Sequence, residues 1–387
     1  MKQLTELTLN DRLQSLHVLM GFSLLGILLV NLISFHSPSS YYNPYEWWQY
    51  GDLSIYAWLD VLVQGSFYPI IAMIFGYSLV VLMEQTTTEG LPFYKISIKK
   101  LTVLFIIGSI HAFLIWYGDI LIIYALLGFL LLFFLRLPGR MLMGIGVGLY
   151  LLPQLIICSF ILLMTLFNTV SLSDFTNLVG LQQSAEIYAN GTFFNITGQR
   201  FLDWVTHNSS EGLLLNLLVT FPMMMIGAGA AKLYWLQTAH KQKKKWLIIL
   251  LVALPLGVGG KLFPFFTQLT MNFQYIQDAI GGPFLGIAYV AAIVLIMTNK
   301  SMEKLLKPFA SVGRMPIIIY LSQSVIGTLI FYSYGLGLYG QVSMATSTWL
   351  AISIFTIQLV CAEIWFSFSR YTTKKENINL YKEKRLA

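Results

Sequence analysis

Ten apolar runs, each close to the length of one membrane crossing, recur along this chain, and its Lys and Arg residues collect in every second connection. A hydrocarbon core of about 30 Å needs roughly 20 apolar residues per helix. Lipid offers no partner to a free backbone N–H or C=O, so only helices and closed barrels can span it. These runs are too long for barrel strands and lack their alternation of apolar and polar residues. They fall at 14–36, 58–83, 99–117, 119–135, 141–167, 212–233, 246–262, 276–298, 312–333 and 346–368. The predicted fold is therefore all-α: a polytopic integral membrane helical bundle of about ten transmembrane helices. One integral domain covers 1–387, with an extracytoplasmic loop or lid at 168–211 and a basic cytoplasmic tail at 369–387.

Charge gives the orientation. Of the 24 Lys and Arg residues, 22 lie in segments that ten crossings bring to one side; only Arg200 and Lys261 fall on the other. Cytoplasmic loops collect basic residues, so both termini are placed inside. The net charge of +7 is spread over short segments beside apolar runs, which fits anionic lipid headgroups and argues against a nucleic-acid partner. With 57% apolar and 11% charged residues, far from the roughly 25% charged of a soluble domain, the expected partner is membrane lipid. Nothing in the sequence indicates an oligomeric state.

Cys158 and Cys361 lie inside apolar runs and are read as packing residues. The first run lacks a small-residue cleavage site and reads as a retained helix. His17 and His36 flank that helix at opposite ends, and His207 and His240 lie in loops on opposite sides, so no metal centre is expected. There is no phosphate loop, dinucleotide fingerprint or serine-hydrolase elbow. The flanking aromatics Trp47, Trp48, Tyr50, Trp116 and Tyr117 are expected at the outer interface, and the 168–211 segment as short helices against the outer mouth. Asn195-Ile-Thr matches a glycosylation sequon, a three-residue pattern common by chance.

Chemistry is sought among polar residues within the spans, where ionisable groups are expensive and face cavities or partners. Asp60, Gln64 and Tyr68 are spaced i, i+4, i+8 on the second span, and Tyr320, Gln323, Ser324, Gly327 and Thr328 share a face of the ninth, with Arg314 near its start. Two readings are open: the stripes line one cavity, or they join helices through hydrogen bonds. His111 lies in the outer half of the third span, and Asp119 opens the fourth after Tyr117-Gly118. A carboxylate beside an imidazole fixes its tautomer and steadies the imidazolium, as a general base requires; Asp119 alone would also serve as a helix cap. Asp278 with Gly281-Gly282 reads as a cap followed by close packing, and Glu363 as a residue that snorkels or pairs with a basic neighbour.

Several strings resemble a known family. Arg12-Leu-Gln-Ser-Leu-His-Val-Leu-Met-Gly-Phe-Ser-Leu-Leu-Gly-Ile-Leu-Leu-Val-Asn31, Phe75-Gly76-Tyr77, and Ile107 to His111 with Gly118 to Ala125 are similar to the bacterial YeiB-like membrane proteins, the domain of unknown function 418. Gly313-Arg-Met-Pro-Ile-Ile-Ile-Tyr-Leu-Ser-Gln-Ser324 and Tyr334 to Gly340 resemble the family's hallmark segment, and Tyr188, Gly191 and Arg200 its outer-loop pattern. The chain departs from the family in one place: His17 and Met20 stand where the family has Asp and Arg.

The resemblance implies a place in a bacterial cytoplasmic membrane and a kinship with multi-helix membrane acyltransferases. On that reading an acyl group passes from a cytosolic donor such as acyl-coenzyme A, with no resident cofactor, to an envelope lipid or saccharide. His111 would deprotonate the acceptor and Asp119 orient it. Arg200 would meet an anionic acceptor group and Arg314 an anionic donor, while Asp60, Gln64, Tyr320, Gln323 and Ser324 would line the substrate path. The alternatives are a transporter of a small solute with a His–Asp polar pathway, and an envelope scaffold or sensor. Loss of the family Asp–Arg pair either alters activity or is a mutually compensated structural change.

Overall fold

A computed structural model describes residues 2–48, 50–166, 177–267 and 271–386. The helices are α1 (Lys2–His36), α2 (Pro44–Trp47), α3 (Tyr50–Leu62), α4 (Phe67–Thr88), α5 (Phe93–Leu114), α6 (Leu121–Phe134), α7 (Gly139–Leu166), α8 (Leu178–Asn190), α9 (Phe193–His207) and α10 (Ser210–Lys232). After these come α11 (Lys243–Phe266), α12 (Met271–Ile276), a π-helical segment (Gln277–Gly281), α13 (Gly282–Met297), α14 (Lys300–Leu305), α15 (Lys307–Gly313), α16 (Pro316–Phe331) and α17 (Met344–Leu386). Among the described residues there is no strand, and the molecule is an all-α membrane bundle.

Among the described residues, eight apolar stretches are long enough to cross a membrane, or nine if the bent pair α15–α16 is one span. The second expected span, 58–83, is the middle of an apolar stretch from Gly51 to Thr88 that breaks between α3 and α4, where Gly65 takes the left-handed φ of +68°. The fourth, 119–135, is the 14-residue α6, about 21 Å long at 1.5 Å per residue; the linker before it runs inside the bundle, with Trp116, Tyr117 and Asp119 buried. The ninth, 312–333, bends by 84°. Pro316 has no N–H and crowds the residue before it, and Met315 accordingly leaves the helix at φ −127°, ψ 53°.

Helix α1 is central: 67% of its spanning window is buried, against 17% for α7, whose Leu152, Ile156 and Phe160 face outward. It packs on α4, α15, α16 and α17. Contact with α15 brings backbones together, since a Cβ on Gly313 would strike the His17 carbonyl and one on Gly21 the Phe309 carbonyl. Small residues permit such approaches where apolar surface alone gives no drive to associate. Elsewhere α10 packs on α4 and α7, α11 on α13, and α5 on α6 and α9.

The basic connections meet at one end. There Arg136 donates to the Tyr94 hydroxyl at 3.0 Å, Lys232 to the carbonyls of Leu135 and Leu137 at 2.5 and 2.8 Å, and Lys307 pairs with Glu363 at 2.5 Å. The expected loop is described from residue 177 onward, and the rest of its expected range, 168–176, lies outside the described residues. It forms the hairpin α8–α9, started by side-chain caps from Asn177 and Thr192 and packed on α5 at the other end. Cys158 is buried against Phe273 and Ile276, and Cys361 is exposed.

Candidate functional site

Helix α5 ends three residues beyond His111, and the chain turns back to bring Asp119 beside it. His111 Nδ1 lies 2.8 Å from Asp119 Oδ1, with neither side chain exposed to solvent. The other carboxylate oxygen accepts the Ile122 N–H at 2.8 Å, so Asp119 both caps α6 and holds the imidazole. With Nδ1–H donated to the carboxylate, Nε2 carries the free lone pair, and it has no hydrogen-bond partner among the described residues. The Tyr320 ring lies 5.1 Å from the imidazole, and the Tyr320 hydroxyl donates to the Gly118 carbonyl at 3.1 Å. That bond ties α16 to the turn between the two members of the dyad. Gly108 keeps the α5 face bare there, since a Cβ would press on Asp119 and on the first turn of α6.

Trp116 and Tyr117, expected at the lipid interface, are instead inside. Trp116 packs on Phe35 at 4.3 Å and Tyr117 lies 6.4 Å from Tyr188, because the linker that carries them is covered by the α8–α9 hairpin and the 332–340 loop. Among the described residues, the indole Nε1 of Trp116 and the hydroxyl of Tyr332 are buried without a hydrogen-bond partner.

Arg200 is completely buried rather than at an open mouth. Its Nη1 donates to the Leu114 carbonyl at 2.9 Å and its Nη2 to the Tyr334 hydroxyl at 2.7 Å, with the rings of Phe193, Tyr332 and Tyr334 each 5.5 Å away. Asp203, one turn along α9, accepts from Tyr188 at 2.7 Å, from Gln199 at 2.7 Å and from Tyr41. Burial raises the Asp203 carboxyl above its ordinary value despite those donors, and burial with the Asp203 charge pushes the Tyr117 phenol up to about 12.

The Asp60–Gln64–Tyr68 stripe does not hold together, because the α3–α4 break carries Gln64 into the turn. Asp60 accepts from Tyr45 at 2.5 Å and from Gln277 at 2.6 Å, and lies 3.8 Å from Lys261. Tyr68 donates to Asn31 at 2.8 Å. Asp278, expected as a cap, pairs with Lys261 at 2.7 Å. Gln323 donates to Gln358 at 3.0 Å, joining α16 to α17, and Ser324 turns back to the Tyr320 carbonyl at 3.4 Å. Arg314 is exposed at the α15–α16 bend, over the Phe366 ring at 5.3 Å.

Sequence reasoning missed Lys261, Asp203, Tyr41 and Gln358. The signal for Lys261 was present: it and Arg200 are the two basic residues that break the charge pattern, and both are 0% exposed with specific partners. No group of three or more metal-ligating side chains occurs among the described residues.

Residues 230–371 match the family model described as a protein of unknown function (DUF418). The uncharacterized protein YxaH of Bacillus subtilis (strain 168) is 33% identical over 378 residues, covering 93% of this chain and 92% of that protein. The uncharacterized protein YeiB of Escherichia coli (strain K12) is 26% identical over 392 residues, 93% of each chain. An uncharacterized 39.9 kDa protein encoded in the amylase 3′ region of Bacillus acidopullulyticus is 22% identical over 391 residues, 94% of this chain and 92% of that one. With agreement along nearly its whole length, the chain belongs to the YeiB-like DUF418 family of membrane proteins.

Proposed function

We propose that the protein is an acyltransferase-like membrane enzyme of the bacterial cytoplasmic membrane, and that His111 is its general base. One observation carries the reading: an imidazole fixed by a carboxylate on one nitrogen and unpartnered on the other. A buried acceptor left unmade costs about 1–3 kcal/mol, and such groups are retained where something must be bound. In the proposed step an acceptor hydroxyl attacks the donor's thioester carbonyl. A C–O bond forms, the C–S bond breaks, and the hydroxyl proton passes to Nε2 and then to the departing thiolate. Asp119 stabilises the transient imidazolium.

Donor and acceptor would enter from opposite ends. Exposed Lys243, Lys244 and Arg314 suit the phosphates of an acyl-coenzyme A at the basic end. Lys95 and His111 are both on α5, and 16 residues at 1.5 Å each separate that end from the dyad by about 24 Å. The donor therefore needs a long flexible arm, which coenzyme A has. At the other end a groove of about 560 Å³, lined by Trp47, Gln182, Glu186 and Tyr339 among others, suits an envelope lipid or saccharide acceptor. Arg200, tied to Leu114, is read as a positioning residue for α5 rather than as an acceptor contact.

A second reading, carriage of a small solute, is favoured by the buried charges around Lys261. Purified protein, given labelled acyl-coenzyme A and envelope extract in nanodiscs and reconstituted into solute-loaded proteoliposomes, separates the two. Label moving onto an acceptor supports the first; solute counterflow without covalent change supports the second and removes the first.

A further inference from the structure

The charges around Lys261 sit on different helices from the dyad, and the acyl-transfer step makes no use of them. Lys261 on α11 is 0% exposed at its side chain, Asp60 on α3 is 5% exposed and Asp278 is 39% exposed. Two carboxylates thus face one ammonium, leaving one negative charge uncompensated in a span, where unpaired charge is expensive. Asp60 Oδ2 is already held by the Tyr45 hydroxyl and the Gln277 amide, while Oδ1 faces Lys261 at 3.8 Å. Gln277 is fully buried, and its Oε1 is an acceptor without a partner among the described residues. Gln277 and Asp278 both belong to the π-helical segment, a widened turn of the kind that recurs at functional sites. The segment is pinned from two sides. Gly281 backs directly onto Gly260 and Lys261, and a Cβ on Gly65 would meet the Asp278 carboxylate.

We propose that Asp60, Lys261 and Asp278 form a proton-binding site, in which Asp278 takes the proton and Lys261 changes carboxylate partner. Asp278 has the more exposed of the two carboxyls. Its protonation forms one O–H bond, releases the ammonium and takes the net charge of the site from −1 to 0. Lys261 then closes the 3.8 Å gap to Asp60 Oδ1. No covalent bond of the chain breaks. A metal cation is disfavoured, because the ammonium occupies the space between the carboxylates and a hard cation such as Ca²⁺ needs about six oxygens or more. Among the described residues, the other titratable groups facing the cluster are phenols: Tyr45 on α2, Tyr56 on α3 and Tyr150 on α7, whose hydroxyl donates to the Ala279 carbonyl. They remain neutral where carboxylates titrate.

The test is infrared difference spectroscopy of the full-length protein in lipid nanodiscs, stepped from neutral to acidic buffer, with isotope-labelled aspartate carboxyls. The site predicts a protonated-carboxyl band that grows on acidification, disappears in Asp278→Asn and persists in Asp119→Asn and Asp203→Asn. If Asp278→Asn fails to accumulate, Asp278→Glu in the labelled protein moves the same band to the unlabelled position. A band indifferent to both substitutions overturns the proposal. So does a thermal midpoint that rises with Na⁺ or K⁺ over choline at fixed pH, which would make the occupant a metal cation. Neither failure touches the reading of His111.

Discussion

Arg200 donates to the carbonyl of Leu114 at 2.9 Å, so a residue of the α8–α9 hairpin closes the C-terminal end of the helix that carries His111. A helix end leaves carbonyls without intrahelical partners, and a buried end must find them elsewhere. Arg200→Ala would leave the Leu114 carbonyl and the Tyr334 hydroxyl unpaired, and should lower stability by about 2–4 kcal/mol. Arg200→Lys, with one point charge for two acceptors, should recover only part of that. Thermal unfolding in nanodiscs checks both, and equal stability of all three proteins would contradict the capping role.

Asp119 serves two partners, and substitutions separate them. Asparagine can still accept the Ile122 N–H but cannot stabilise an imidazolium, so Asp119→Asn should cost less than about 1 kcal/mol of stability while acyl transfer falls by roughly 10²–10⁴. Asp119→Ala should lose both. Parallel unfolding curves and transfer rates decide it; an Asp119→Asn protein that transfers at the wild-type rate removes the carboxylate from the chemistry.

The bundle was legible because lipid imposes a single rule, that apolar length follows membrane thickness, and because Lys and Arg mark one side. The His111–Asp119 contact was legible for a local reason: eight residues and a tight turn link two antiparallel helices. What could not be read was how polar residues pair across distant helices. Asp60 meets Gln277 across 217 positions, and no spacing rule reaches that far. The stripe through Gln64 failed because Gly65 breaks the helix between residues that a continuous helix would align. Trp116 looked interfacial because it flanks an apolar run, yet the hairpin that covers it is recognisable only once folded.

Asp203 makes part of the fold sensitive to pH. Its folded-state value is raised above 3.8 by burial, so over the window from 3.8 up to that raised value the native chain binds more protons than the unfolded one. Stability from this group is fully present below the window and declines as pH rises through it. Asp203→Asn should therefore show a flatter profile, gaining on the wild type as pH increases. Unfolding midpoints across acidic to neutral buffers test this, and a difference that runs in the opposite direction contradicts it.

Gly313 lets α15 touch α1 at the His17 carbonyl. Gly313→Ala should force the two helices apart and lower stability by about 1–3 kcal/mol. Gly144, where a Cβ would meet nothing within 4 Å, is the matched control. Its replacement by Ala should leave the midpoint unchanged or slightly raised, since Ala favours helix over Gly. Equal losses at both positions would show that backbone proximity is not the cause.

The central claim is that His111 Nε2 takes a proton during acyl transfer to an envelope component. Mass spectrometry of envelope lipids and polysaccharides from a deletion strain, complemented with wild type or with His111→Ala at matched membrane levels, tests it most directly. One acylated species should be present with the wild type and absent with His111→Ala. The same species at the same level in both strains, or an envelope unchanged by the deletion itself, would contradict it.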